Sequence, residues 1–192
     1  MDEIRIIGVE TLSHNWGRLS DYTFEIVHRD GSRQRHRREV YDRGDAAVVL
    51  LHDPARDSVV LTRQFRLPAH LNGGASYLIE ACAGLLDGDA PEACARKEAE
   101  EETGYRVTSI RPLFAAYMSP GSVTEKLHFF IAGYDATARI SAGGGLEHEG
   151  EDIEVLEMPL KTALAMVGSG EIVDAKTIMV LQHLALEQAN RG

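Results

Sequence analysis

The sequence predicts an α/β fold in which a mixed sheet carries helices on both faces, preceded by a small antiparallel β unit. Three observations carry this. Strand-like and helix-like segments alternate from about residue 44 onward, which favours a mixed sheet with covered faces. The first 43 residues hold long strand-like segments and a hairpin turn, with too little apolar content for a core of their own. The chain has 192 residues, 44% hydrophobic and 26% charged, enough for one packed domain and a small appendage. The division is therefore drawn at 1–43 for the β unit and 44–192 for the α/β domain.

IRIIGVE (4–10) and DYTFEIVHR (21–29) are strands by their β-branched and aromatic content. Asp30-Gly31 is a hairpin turn leading into the arginine-rich strand RQRHRREVYDR. AAVVLLHD (46–53), DSVVLTRQFR (57–66) and YLIEA (77–81) continue the strands. DAPEACARKEAEEETG is the first clear helix: Asp89 and Glu92 are spaced as a capping box, Pro91 sits in the first turn and Gly104 supplies the C-cap. Strands follow near 106–116, at 126–134 and at 152–157, then helices over 159–168 and about 175–189. SAGGGLEHEGED (141–152) is a glycine-rich acidic loop, expected to be mobile.

Net charge is −10, which argues against general nucleic-acid or anionic-membrane binding. The acidic start lacks the order of a signal peptide, no apolar run reaches membrane length, and Cys82 and Cys94 form no framework. A reduced, cytoplasmic protein is expected. The eight histidines show no metal-ligating or nucleophile-pair spacing.

One stretch resists a purely structural reading. RKEAEEETG (96–104) places Glu98, Glu100, Glu101 and Glu102 just before a helix-ending glycine, where negative charge opposes the helix dipole and like charges one turn apart repel. On a helix Glu98 and Glu102 share a face, Glu101 lies beside them and Glu100 points away. Ala93, Cys94, Ala95 and Ala99 let such a helix lie close to a neighbour. Clustered oxygen donors of this kind suit Mg²⁺ or Mn²⁺. A solvated charged helix is the plainer alternative.

GLLDGDAPEACARKEAEEETGY (84–105) resembles the Nudix box, G-x5-E-x7-R-E-U-x-E-E-x-G-U with U apolar. The second half matches as Lys97-Glu98-Ala99-x-Glu101-Glu102-x-Gly104-Tyr105, whereas the spacing after Gly84 is one residue short, Asp89 stands for the first glutamate and Lys97 for arginine. HRREVYDRG, LTRQFR, LIEACAGLLDGD, YMSPGSVTEKLHFFIA and GEDIEVLEMP extend the likeness over nearly the whole chain, toward the nucleotide-sugar branch that contains ADP-ribose and GDP-mannose pyrophosphatases. The GDP-mannose group is the nearest in pattern.

The resemblance implies a Nudix α/β/α sandwich and an N-terminal sheet shared across a homodimer. It implies Mg²⁺-dependent hydrolysis (Mn²⁺ as alternative) of a nucleotide-sugar diphosphate, GDP-mannose to GMP and mannose 1-phosphate. ADP-ribose or another ADP-sugar is the alternative substrate, and a non-catalytic nucleotide-sugar sensor the alternative class. It maps metal ligands to Glu98, Glu102, Glu151 and the Ala83 carbonyl. Glu101, Glu149 and Glu151 become candidates for the proton-accepting base, with the glycine loop delivering it. Arg66 and Lys176 would meet the phosphates or sugar, and Gly84 and Leu85 would lend backbone. Glu102 also falls within the substrate site. Arg37, Arg38 and Glu39 would reach the ligand from the partner subunit, Trp16 would stack on the base, and Glu125 would contact the ligand.

Overall fold

The computed structural model describes residues 4–146 and 150–190, and of Ala138 the backbone alone. The chain divides into two compact units.

The first unit runs to Asp45 and takes in Tyr117–Lys126. Its strands β1 (Ile4–His14), β2 (Arg18–Val27) and β3 (Arg33–Asp42) form an antiparallel sheet in the order β1-β2-β3. The turn expected at Asp30-Gly31 is present: Gly31 has φ +82°, and the Ser32 N–H donates to Asp30 Oδ1 at 2.9 Å. The register places Ile6, Phe24 and His36 across from one another, and Arg5, Glu25 and Arg35 likewise. Because strand side chains alternate, one face of the sheet is apolar and aromatic and the other is charged. β1 is exposed along its whole length, with Ile4, Ile6 and Val9 each more than half exposed. Tyr41 ties the 117–126 segment to β3: its N–H donates to Ser122 O at 2.8 Å, and its carbonyl accepts from Thr124 at 3.1 Å.

The second unit holds a seven-stranded sheet. Strands β4 (Ala46–Asp53), β5 (Ser58–Phe65), β8 (Tyr105–Tyr117), β9 (Lys126–Arg139) and β10 (Glu154–Pro159) run in the order β10-β5-β4-β9-β8. β6 (Tyr77–Glu80) pairs with β5, and β7 (Cys82–Leu85) with β4. The sheet is mixed, since β4 is parallel to β9 and antiparallel to β5 and β7. Helices are α1 (Leu67–Leu71), α2 (Pro91–Thr103), α3 (Leu160–Ser169) and α4 (Ala175–Ala189).

The unbroken apolar run of β4 now has its reason, because a strand covered on both faces need not alternate. Ala47, Val49 and Leu51 share a core with Cys94, Ala95 and Ala99 of α2. On the other face Phe129 stacks on Phe114 at 4.7 Å, and Phe114 meets His183 of α4 at 5.3 Å. Val180, Leu181 and Leu184 of α4 are buried. Two elements go beyond the sequence reading. Leu67-Pro68 begins the single turn of α1, and Cys-Ala-Gly-Leu forms β7 despite low strand propensity because β4 supplies the pairing.

Candidate active site

The site begins where β7 passes under α2. Gly84 is needed there for close approach: a Cβ added to it would lie 2.1 Å from the Glu98 carboxyl carbon. The Cys94 thiol donates to the carbonyls of Gly84 and Leu85 at 3.5 and 3.3 Å, which draws the start of the helix onto the strand. The expected capping box is absent. Ala90 is the N-cap, no side chain caps the helix, and Asp89 sits one residue too early. Pro91 has no N–H to satisfy, which lowers the need for a side-chain cap.

The other end of α2 is fastened completely. Gly104 adopts φ +71° and its N–H donates to Glu100 O at 3.0 Å. Gly145 N–H reaches Glu101 O at 3.4 Å and Gly144 N–H reaches Glu102 O at 2.9 Å. The Arg139 guanidinium donates to Thr103 O at 3.0 Å. All four carbonyls left over at a helix C-terminus are thus satisfied. The three successive glycines take left-handed turns (φ +70°, +106° and +78°) that let the chain pass against the helix end. Donors and the Arg139 cation at this terminus offset the opposition between the glutamates and the helix dipole.

Glu102 points inward and is 1% exposed. Burial, together with the charges of Glu98 and Glu151, pushes its pKa up to about 8, although the Cys82 thiol and the Ala83 N–H both donate to it. Its Oε2 is buried with no hydrogen-bond partner. Glu151 accepts the Leu146 N–H at 2.9 Å and lies over Gly145. Among the described residues no three His, Cys, Asp or Glu side chains already surround one point as a finished cation cage. The donor chemistry nevertheless fits a hard divalent cation: Glu98 and Glu151 each act electrostatically on Glu102, all three offer oxygen, and one buried Glu102 oxygen lacks a hydrogen-bond partner.

Glu101 is set apart from this group. Lys97 pairs with it at 3.7 Å, and it lines a 960 Å³ cleft on the outer side of α2 with Glu92, Arg96, Lys97 and Glu100. Glu100 is half-buried and accepts the Val107 N–H at 3.1 Å, so it faces away from Glu98 but is not idle. Glu149 lies outside the described residues.

Arg66 and Lys176, 110 positions apart in sequence, meet on a residue that sequence reasoning missed. Glu80, 1% exposed, accepts from Arg66 Nε at 2.8 Å and from Nη2 at 2.9 Å, and pairs with the Lys176 ammonium. Burial opposes ionisation of Glu80, but Arg66 and Lys176 outweigh it and hold the carboxyl below its usual range. Asp174 caps α4 and holds Lys176 at 3.0 Å. A lone glutamate among strand apolars in YLIEA is the only sequence sign of this arrangement.

The remaining predicted residues belong to the first unit. Arg37 pairs with Asp21, and the Arg38 guanidinium donates to Arg37 O at 2.8 Å. Glu39, on β3, is exposed and stands across from Asp21 on β2. Trp16, 73% exposed, lies at the β1–β2 turn with the Arg43 guanidinium 4.2 Å from its ring centre, and Glu125 is 3.9 Å from Arg43 Nε.

Two family models match the chain: the GDP-mannose pyrophosphatase NudK N-terminal domain over residues 3–41 and the NUDIX domain over residues 42–178. A GDP-mannose pyrophosphatase of Pectobacterium atrosepticum is 54% identical over 94% of this chain and 93% of its own. One from Shigella flexneri is 52% identical over 96% of both chains. A solved structure of an ADP compounds hydrolase shares the fold at 18% identity, with a TM-score of 0.76 over 99% of this chain and 96% of that one. No described helix is long and apolar enough to cross a membrane.

Proposed function

The chain belongs to the Nudix family, and from that premise we propose that it hydrolyses the diphosphate of a nucleotide sugar, GDP-mannose, to GMP and mannose 1-phosphate. The observation that carries the reading is the buried Glu102 carboxylate, with an oxygen lacking any partner and Glu98 and Glu151 acting on it. A fold does not retain such a group for stability, since a buried carboxyl with an oxygen left without a partner is costly. Glu98, Glu102, Glu151 and the Ala83 carbonyl would hold Mg²⁺, or Mn²⁺ in its place. Mg²⁺ there supplies charge neutralisation at the phosphates and acidity to a bound water.

The chain's own groups do the rest. Arg66 and Lys176 take phosphate oxygens, and Gly84 and Leu85 admit the diphosphate close to backbone. Glu151 or Glu149 accepts the proton of the attacking water. Glu101 is the third candidate, and its pairing with Lys97 favours a supporting role.

Specificity falls to the ends of the substrate. Metal and diphosphate contacts are common to GDP-mannose and ADP-ribose, so the base and sugar contacts must discriminate. Guanine offers a donor edge that Glu39 can accept, and Glu125 and Lys176 can bind sugar hydroxyls. GDP-mannose is expected to show the higher kcat/KM. With Mg²⁺ and both substrates in one tube, product chromatography should show GMP ahead of AMP. An excess of AMP would move the protein to the ADP-ribose reading, and no nucleotide product from a nucleotide-sugar panel would remove the enzymatic one.

We further propose a homodimer in which Trp16, Arg37, Arg38 and Glu39 of one chain complete the site of the other. The exposed apolar residues of β1, and a three-stranded sheet with one apolar face, support a covered surface. Sedimentation should give twice the chain mass. Mixing Glu98→Gln chains with Arg37→Ala/Arg38→Ala chains should restore part of the activity, since one site of the mixed dimer is intact. A monomer, or no recovery after proven subunit exchange, would refute the shared site.

A further inference from the structure

We infer that Glu80 is a positioning residue for the reaction, fixing Arg66 and Lys176 as a preset pair for the diphosphate; this rests on the functional reading above. Three elements bring the group together. Arg66 directly follows β5, and its N–H is anchored to Ser76 O at 2.8 Å. Glu80 ends β6, and the next residue, Ala81, donates its N–H to Thr177 Oγ1 of α4 at 2.7 Å. That bond pins the first turn of α4, and so Lys176, beside the same carboxylate.

The donors divide cleanly. Glu80 takes the Nε–H and one Nη2–H of Arg66, leaving both hydrogens of Nη1 and one of Nη2 for a ligand. Lys176 donates one of its three hydrogens to Glu80 and is held by the Asp174 charge at 3.0 Å. The guanidinium plane is therefore set from behind by a bidentate carboxylate, with its remaining donors turned away from Glu80. The Arg66 side chain is 39% exposed, which leaves its remaining donors open to a ligand, and it interacts electrostatically with Glu102. The charges of Glu80, Asp174, Arg66 and Lys176 cancel, so the pair supplies aimed donors rather than net positive charge. Stability alone does not call for the arrangement, because buried ion clusters are commonly replaceable by apolar residues without loss.

The test is a kinetic cycle on the full chain with GDP-mannose and Mg²⁺. Glu80→Gln keeps the shape but cannot accept both guanidinium bonds; KM should rise at least about 10-fold with kcat changed less than about 3-fold. Arg66→Ala should raise KM comparably, and adding Glu80→Gln to it should cost little more, because Glu80 acts through Arg66. Fully multiplicative effects, or an unchanged KM in Glu80→Gln, would overturn the inference. Arg66→Lys is the second variant, should Glu80→Gln fail to fold. It keeps the charge and loses the two-point grip, so KM should rise by a similar factor, and a parental KM would count against positioning. If the parent hydrolyses no nucleotide sugar, the functional reading fails by itself. The role of Glu80 is then decided by calorimetry with magnesium pyrophosphate: affinity at least about 10-fold weaker in Glu80→Gln supports it, and equal affinity or no binding to the parent refutes it.

Discussion

Replacing Glu102 by glutamine should lower turnover at least about 100-fold and, in the absence of divalent cations, make the protein more stable. The two effects have one cause. Glu102 is 1% exposed, and burial with Glu98 and Glu151 nearby pushes its pKa up to about 8. Between pH 4.5 and about 8 the folded protein holds a proton on this carboxyl that the unfolded chain releases. Folding stability therefore falls as pH rises through that window, by about 1.4 kcal/mol per unit of pKa difference at most. Glutamine removes the proton linkage and with it this slope. In EDTA the variant should melt above the parent at pH 8, with the difference closing toward pH 5. Glu100→Gln serves as the control: its side chain accepts the Val107 N–H, which an amide oxygen also accepts, so rate and stability should stay near parental values. Parental turnover in Glu102→Gln at saturating and limiting Mg²⁺ would refute the metal assignment, and an unchanged pH slope would refute the burial argument.

Gly104→Ala should cost about 2–4 kcal/mol and lower the Tm by roughly 5–15 °C. Alanine in a left-handed conformation costs about 1–2 kcal/mol by itself. Here the added Cβ would also stand 2.3 Å from Ser141 O, a backbone atom with no rotamer to yield. Relief requires the 139–145 segment to withdraw, releasing the Gly144 and Gly145 N–H groups from the helix carbonyls and shifting Glu151 away from Glu102. Activity should therefore fall more than stability predicts, and at temperatures well below the melt. Gly150→Ala provides the comparison, because it shares a positive φ but a Cβ there meets nothing within 4 Å. Equal losses at both positions would show that backbone strain, and not the packed helix end, is what Gly104 relieves.

Periodicity and turn chemistry were enough to locate most of the elements. β4 occupies the AAVVLLHD segment, α2 ends at Gly104, and α3 and α4 fall within a residue or so of their expected ranges, because apolar patterning and a C-cap glycine act locally. The capping box at Asp89 did not form, since side-chain spacing alone does not say which residue becomes the N-cap. The sequence did not reveal that the left-handed angles of the glycine triplet serve close packing against a helix terminus more than 35 residues earlier in the chain.

By itself the sequence determined the order of most strands and helices, the single-face spacing of Glu98 and Glu102, and the family, because each is written in short-range pattern. Only the tertiary structure decided that Glu102 is buried with an unpartnered oxygen while Glu101 turns to an outer cleft with Lys97. It alone brought Arg66 and Lys176 onto the buried Glu80. The reason is physical: burial and charge pairing depend on which segments the chain brings into contact, and residues 66, 80 and 176 share no local pattern. Once β6 and the first turn of α4 meet, the low-polarity interior makes the pairing of those charges obligatory.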